Sequence, residues 1–296
     1  MIQTKYLSPF TDYGFKKVFG EDGAKGSLIS FLNDALPIEY KIKSLRFLPN
    51  EQLGNDIEAR SAIYDIFCED ENGGQFIVEM QNARQLYFKD RTVFYSTFPI
   101  QRQAKKGKWN FKLKNVYCVS LLGFEMPGET DEYHHVVQLK NQNNEVFYDK
   151  LTYIYFELPK FDLKLEELST HLEKWLYFLK HLDEFEKLPE ILGEQVFFDT
   201  LERIEYTSLP HLEQMKYDTS LKVFRDNINV IETARMEGRE EGFEKGVEKG
   251  IQKGALKTAI ENATRMLEKG FDWVMVTEIT GMTESEYNKY LKSDHL

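Results

Sequence analysis

The run Gln75-Phe76-Ile77-Val78-Glu79-Met80-Gln81 decides how the rest of the sequence is read. In a strand, side chains alternate between faces, so Phe76, Val78 and Met80 share one face and Ile77, Glu79 and Gln81 share the other. The first face suits a hydrophobic core. The second brings two polar side chains out together. Upstream, residues 62–68 form a second β-type run whose one acid, Asp65, is disfavoured in strands and costly to bury without a partner. Between the two runs lies EDENGG at 69–74, a turn signal, so the pair reads as a β-hairpin.

Two carboxylates that converge repel one another unless a cation separates them, and hard oxygen ligands suit Mg²⁺ or Mn²⁺. Register tests whether Asp65 and Glu79 can converge. A two-residue Asn72-Gly73 turn pairs Asp65 with Met80 and sends its side chain away from Glu79. A loop with an odd residue count, or a bulge, sets Asp65 across from Glu79 or near it. The hairpin is therefore expected to have something other than a simple two-residue turn. The competing reading is an edge-strand hairpin whose acids are merely solvated.

Outward from the hairpin, Phe10, Phe15, Val18 and Phe19, then Leu28, Ile29, Phe31, Leu32 and Leu36, are spaced as faces of two helices. Residues 44–48 make a short strand candidate. Residues 88–104 have helical character, with Pro99 expected to kink or divide them. Residues 114–124 are nearly continuous apolar sequence, as in a strand covered on both faces. Residues 132–140 and 145–158 add strands, and from Leu165 onward the spacing is helical. The order predicts an α/β fold with a mixed central sheet and a helical C-terminal region. We divide the chain into a core at 1–160, a helical extension at 161–235, a glycine repeat at 236–256 and a small helical tail at 257–296. The repeat, EGREEGFEKGVEKGIQKGA at 237–255, reads either as a helix with glycine and apolar stripes that a second copy would cover, or as a charged linker. The tail reads as two short helices around Gly281, with Thr283 and Glu286 in capping-box spacing.

The 296 residues, 42% of them hydrophobic and 14% aromatic, suffice for a sizeable core. Cys68 and Cys118 lie in apolar runs, which argues against secretion and against a cysteine metal site. No apolar run is long enough to span a bilayer, and MIQTKYLSPF lacks the order of a signal peptide, so a cytoplasmic protein with no membrane partner is expected. The net charge of −11 conceals an asymmetry. Residues 84–114 carry nine Lys or Arg against one acid, a segment of +8 in a remainder of −19. That suits local engagement of phosphate, and equally a solvated basic helix.

The string Asp65-x13-Glu79-Met80-Gln81 resembles the D…ExQ variant of the PD-(D/E)XK nucleases, in particular the Rpn recombination-promoting nuclease and transposase-like group. The fragments TDYGFKKVFG at 11–20, FLN at 31–33, FKDRTVFY at 88–95, FELPKF at 156–161 and EKWLYFLK at 173–180 are similar to that group as well. The resemblance implies an αβββαβ core in which Asp65, Glu79 and the Met80 carbonyl hold Mg²⁺ for hydrolysis of a DNA phosphodiester. The third motif position in the family is usually lysine. Gln81 can orient water but supplies no charge and cannot be a general base. Lys16 or Arg91 could supply the missing cation, and Asp12 could approach the site from the first helix or simply cap it. Arg91, Tyr95 and Arg102 fall at helical spacing and, with Gln101, Lys105 and Lys106, are candidate DNA contacts. His134 and His135 point to opposite strand faces, which disfavours a joint metal site. The resemblance implies a Mg²⁺-dependent DNA endonuclease of recombination or mobile elements; the rival is a DNA-binding or protein-interaction module that has kept the fold and lost catalysis.

Overall fold

The computed structural model describes residues 4–52, 61–104, 107–128 and 130–292. Helix α1 (Asp12–Phe15) runs into a π-helical turn at Lys16–Gly20, and after a 3₁₀ turn α2 spans Lys25–Ala35. Thr11 caps α1 by accepting the Gly14 N–H at 3.0 Å. Gly14 is required there, because a Cβ would lie 2.0 Å from the Ser8 carbonyl oxygen. Strands follow at β1 (Leu45–Phe47), β2 (Glu51–Gln52), β3 (Ala62–Ile63), β4 (Ile66–Asp70) and β5 (Gln75–Gln81). Then come α3 (Phe88–Arg102), β6 (Val116–Leu122), β7 (His134–Lys140) and β8 (Val146–Glu157). Helices α4 (His171–His181), α5 (Gln195–Arg203), α6 (His211–Glu268), α7 (Trp273–Thr280) and α8 (Glu284–Lys292) complete the chain. None of the helices described is long and apolar enough to cross a membrane.

Six strands form one mixed sheet in the order β1-β4-β5-β6-β8-β7, while β2 and β3 pair separately. The β5–β6 and β6–β8 pairs are parallel and the remaining pairs of the sheet are antiparallel. Every residue of β6 is buried, as expected for a strand covered on both faces. On one face Phe76, Val78, Tyr117, Val119, Ile154 and Phe156 join the cluster built with α2, α4 and α5. Trp175 is fully buried there against Phe19, Phe31, Phe178 and Phe197. Truncating such a side chain costs about 3–5 kcal/mol. On the other face Ile77, Cys118, Leu122, Tyr153 and Tyr155 meet Phe88 of α3.

The chain divides into two compact units, Met1–Ile228 and Asn229–Leu296. In the second, Ala263, Val276 and Met282 form a small core edged by Ile260, Trp273 and Tyr287. Gly281 ends α7 in the left-handed conformation, and Thr283 and Glu286 form the reciprocal bonds of a capping box. The glycine repeat at 237–255 is helical and belongs to α6.

Two sequence expectations are corrected. The run at 62–68 is not one strand: it breaks at Tyr64-Asp65, between β3 and β4. Pro99 does not divide α3, which continues through it to Arg102. Proline lacks the N–H that would close on the carbonyl of Tyr95, one turn earlier. That carbonyl instead accepts the Tyr64 hydroxyl at 2.9 Å, so the vacated acceptor is satisfied by a buried side chain.

Candidate active site

The site begins with the hairpin. Beyond the last ladder pair, Glu69 with Gln75, the Asp70 N–H donates to the Gly74 carbonyl at 2.9 Å, so three residues, Glu71 to Gly73, make the loop, an odd count. The Asp70 side chain accepts the N–H groups of Asn72 and Gly74, both at 2.8 Å, and takes the Tyr40 hydroxyl at 2.7 Å. Gly73 sits at φ +81°, a conformation that favours glycine. The resulting register pairs Ile66 with Val78 and Cys68 with Phe76. Asp65 is the residue just before this ladder, and Glu79 the residue just after it on β5.

Asp65 sits in the break after β3, half-buried, and its Oδ2 accepts the Met80 N–H at 2.8 Å. The Gln81 carbonyl accepts from Gly123 beyond the end of β6, so Met80, one residue away, turns its N–H and carbonyl to the opposite edge, toward Asp65. Glu79 is 5% exposed, and its carboxylate meets a neutral donor, the Gln81 amide, at 3.2 Å. Burial, then the charge of Asp65, push the Glu79 carboxyl up to about 8. Burial also raises Asp65; the Met80 N–H works against this rise and Asp12 adds to it.

Around this pair stand Arg91, Lys16 and Asp12. The Arg91 guanidinium donates to the Gln81 side-chain oxygen and lies 5.5 Å from the Tyr95 ring centroid. Its charge acts on both Asp65 and Glu79. Lys16 acts on Asp65 as well, and pairs with Asp12 at 2.7 Å on α1. Asn82, just past β5, donates to the Phe10 carbonyl at 2.5 Å and so ties the start of α1 to this end of the sheet. Asp12 is the first residue of α1; the cap is Thr11.

Other candidates are dispersed. Gln101 and Arg102 are exposed in the last turn of α3, where Arg102 acts on Tyr64. Lys105 and Lys106 lie outside the described residues. Two features escaped the sequence reading. Ser120 of β6, buried, stands in register beside Glu79. Glu157, 1% exposed, meets His135 at 2.6 Å and Lys160 at 3.1 Å. An acid inside the apolar run at 145–158 was the signal for it, of the same kind as Asp65.

A family model described as PD-(D/E)XK nuclease family transposase matches residues 9–234. The chain belongs to that family. Comparison with curated proteins and with solved structures finds no match. The six-stranded mixed sheet with its helical C-terminal region is consistent with the PD-(D/E)XK fold. Among the described residues no group of three or more His, Cys, Asp and Glu side chains is placed to hold a metal ion. Two carboxylates and a backbone carbonyl nevertheless suit Mg²⁺, which commonly binds through one or two carboxylates and keeps water and phosphate as its other ligands. A buried Glu79 that faces a second acid and a neutral amide fits a PD-(D/E)XK site built around a cation.

Proposed function

We propose that this chain is a divalent-metal-dependent DNA endonuclease acting in recombination or mobile-element transfer. The reading rests on one observation: Asp65 accepts the N–H of Met80, the residue next to Glu79, so that its charge acts on the Glu79 carboxyl, and both carboxyls are raised from their ordinary values. Their carboxylates and the Met80 carbonyl would hold Mg²⁺ or Mn²⁺. When bound, the ion supplies Lewis acidity that offsets charge on the scissile phosphate and lowers the pKa of water. The protein's own part is positional. The Met80 N–H fixes the Asp65 carboxylate, Gln81 orients Glu79, and Arg91 and Lys16 bring fixed positive charge to a phosphate approaching the pair. The rest of the basic segment at 84–114, Gln101, Arg102, Lys105 and Lys106 included, extends phosphate contact along the DNA.

Nicking of supercoiled plasmid by the purified chain tests this. Cleavage should need Mg²⁺ or Mn²⁺ and fall at least about 10³-fold in Asp65→Ala or Glu79→Ala, with the fold retained by circular dichroism. No cleavage with any divalent ion would overturn the reading.

A second reading, an inactive DNA-binding or interaction module, draws on the Gln81 amide, which is already committed to Glu79 and Arg91. It calls for DNA binding that is indifferent to metal and to substitution of the two acids. We further propose self-association through the glycine repeat. Phe243, Val247 and Ile251 are exposed at a four-residue period, and a Cβ added at Gly242, Gly246 or Gly250 meets nothing within 4 Å, which leaves room for a second helix to approach closely. Sedimentation of the full chain against Gly246→Leu/Gly250→Leu reads this directly.

A further inference from the structure

A cavity of about 390 Å³ opens on the sheet face that carries Glu79, beneath α3 and against β8 and β7. Register relates the two places. Glu79 pairs with Ser120, Ser120 with Tyr155, and Tyr155 with His135, so one transverse row runs from the carboxylate pair to the cavity floor. Two strand spacings, about 10 Å, separate Glu79 from Tyr155. Helix α3 lies over this row. Arg91 reaches Gln81, whereas Lys89 and Val93, two residues to either side and so on the opposite side of the helix, line the cavity.

The cavity is built around one carboxylate. Glu157 accepts the Met126 N–H at 2.7 Å, meets His135 Nε2 at 2.6 Å and takes Lys160 Nζ at 3.1 Å. Those three partners belong to the loop after β6, to β7 and to the turn after β8, which are three of its walls. Lys160 also donates to the Thr130 carbonyl at 2.8 Å. Glu157, His135 and Lys160 are thereby engaged with one another. The floor is aromatic: Tyr153 and Tyr155 are buried, and their hydroxyls are taken by Ser96 and Thr92 of α3. The surface offered to a ligand is therefore aromatic carbon of Tyr153 and Tyr155 and aliphatic carbon of Val93 and Val137, with Lys89 at the mouth. Lys89 makes no ion pair among the described residues.

Such a site selects a flat, weakly polar ring attached to an anion, and its volume lies within the range of small-molecule sites, about 300–1,000 Å³. We propose that this cavity takes one unpaired nucleotide, its base stacked on Tyr153 and Tyr155 and its phosphate against Lys89. Two sources share that chemistry: an unpaired nucleotide of the DNA substrate, and a free nucleotide. The first rests on the endonuclease reading; the second does not.

Calorimetric titration of the full chain in EDTA separates them, with a 5′-deoxymononucleotide as one probe and, as the others, a fully paired duplex and the same duplex with a single-nucleotide bulge. Val93→Trp fills the cavity from a position 52% exposed, and Lys89→Glu reverses the charge at its mouth. Mononucleotide binding weakened about ten-fold or more by either substitution, and unchanged in Glu79→Gln, supports the assignment. A bulged duplex preferred about ten-fold over the paired one, with the preference lost in Val93→Trp, assigns the site to the substrate strand. Mononucleotide binding without that preference assigns it to a free nucleotide. If neither probe responds to Val93→Trp or Lys89→Glu in proteins that keep the parent melting temperature, the proposal is overturned. Loss of plasmid cleavage with cavity binding intact would overturn the endonuclease reading alone.

Discussion

Arg91 of α3 donates a hydrogen bond to the side-chain oxygen of Gln81 on β5, and the same amide donates to Glu79 at 3.2 Å. A neutral residue at the third motif position is thus coupled to a cation from the neighbouring helix. Arg91→Ala should lower metal-dependent nicking about 10²-fold, the scale of removing one stabilising donor. Gln81→Lys should not compensate in the parent, because it sets two cations together; combined with Arg91→Ala it should recover part of the loss. A double-mutant cycle on initial nicking rates measures the coupling, and strict additivity would contradict it.

The raised carboxyl of Glu79 gives metal-free protein a signed pH dependence. Its folded-state value, about 8, exceeds the ordinary glutamate value of 4.5, so its stabilising contribution is complete below about 4.5 and is lost as pH rises through 8. Asp65 acts in the same direction. In EDTA the melting temperature should fall from pH 5 to pH 8, and Glu79→Gln should flatten that fall. Added Mg²⁺ should stabilise more as pH rises over the same window, because the ion needs both acids ionised. Scanning calorimetry at fixed ionic strength checks both slopes.

Asp70 holds the three-residue loop that sets the hairpin register. Asp70→Ala removes the acceptor of the Asn72 and Gly74 N–H groups and of the Tyr40 hydroxyl, and should cost about 1–3 kcal/mol in urea unfolding. Because the same loop sets the register of β4 against β5, and Asp65 adjoins β4 while Glu79 lies on β5, nicking should fall too, although Asp70 lies at the far end of β4 from the pair.

Tyr64 and Pro99 form a matched pair through the Tyr95 carbonyl. Tyr64→Phe leaves that acceptor without its donor and should cost about 1–3 kcal/mol. Pro99→Ala restores a helix N–H that can close on the same carbonyl, so the double variant should lose less than the sum of the two single variants. Denaturant melts of the four proteins give the coupling energy.

Much of this was legible in the chain. The alternation of residues 75–81 placed Glu79 and Gln81 on one face, and the apolar continuity of 116–122 marked a strand buried on both sides. The exclusion of a two-residue turn was a register argument, and the three-residue loop agrees with it. The break at Tyr64-Asp65 was not legible, because the surrounding residues are all good strand formers and the interruption serves a tertiary bond, Asp65 to the Met80 N–H. That α3 runs on undivided through Pro99 was not legible for the same kind of reason: propensity counts its missing N–H as a cost, whereas Tyr64 supplies the compensation from 35 residues upstream.

What the sequence determined by itself was periodicity: the order of strands and helices, which faces are apolar, and that acids stand inside otherwise apolar strand-like runs. Only the tertiary structure decided convergence. That Arg91 turns to Gln81 while Lys89 turns away, and that His135, Lys160 and Met126 gather on Glu157, follows from how α3 crosses the sheet and how β7 pairs with β8. The physical reason is range: local pattern fixes the direction of a side chain relative to its own backbone, but charge and hydrogen bonding act between groups a few ångströms apart in space, whose separation along the chain carries no record of that distance.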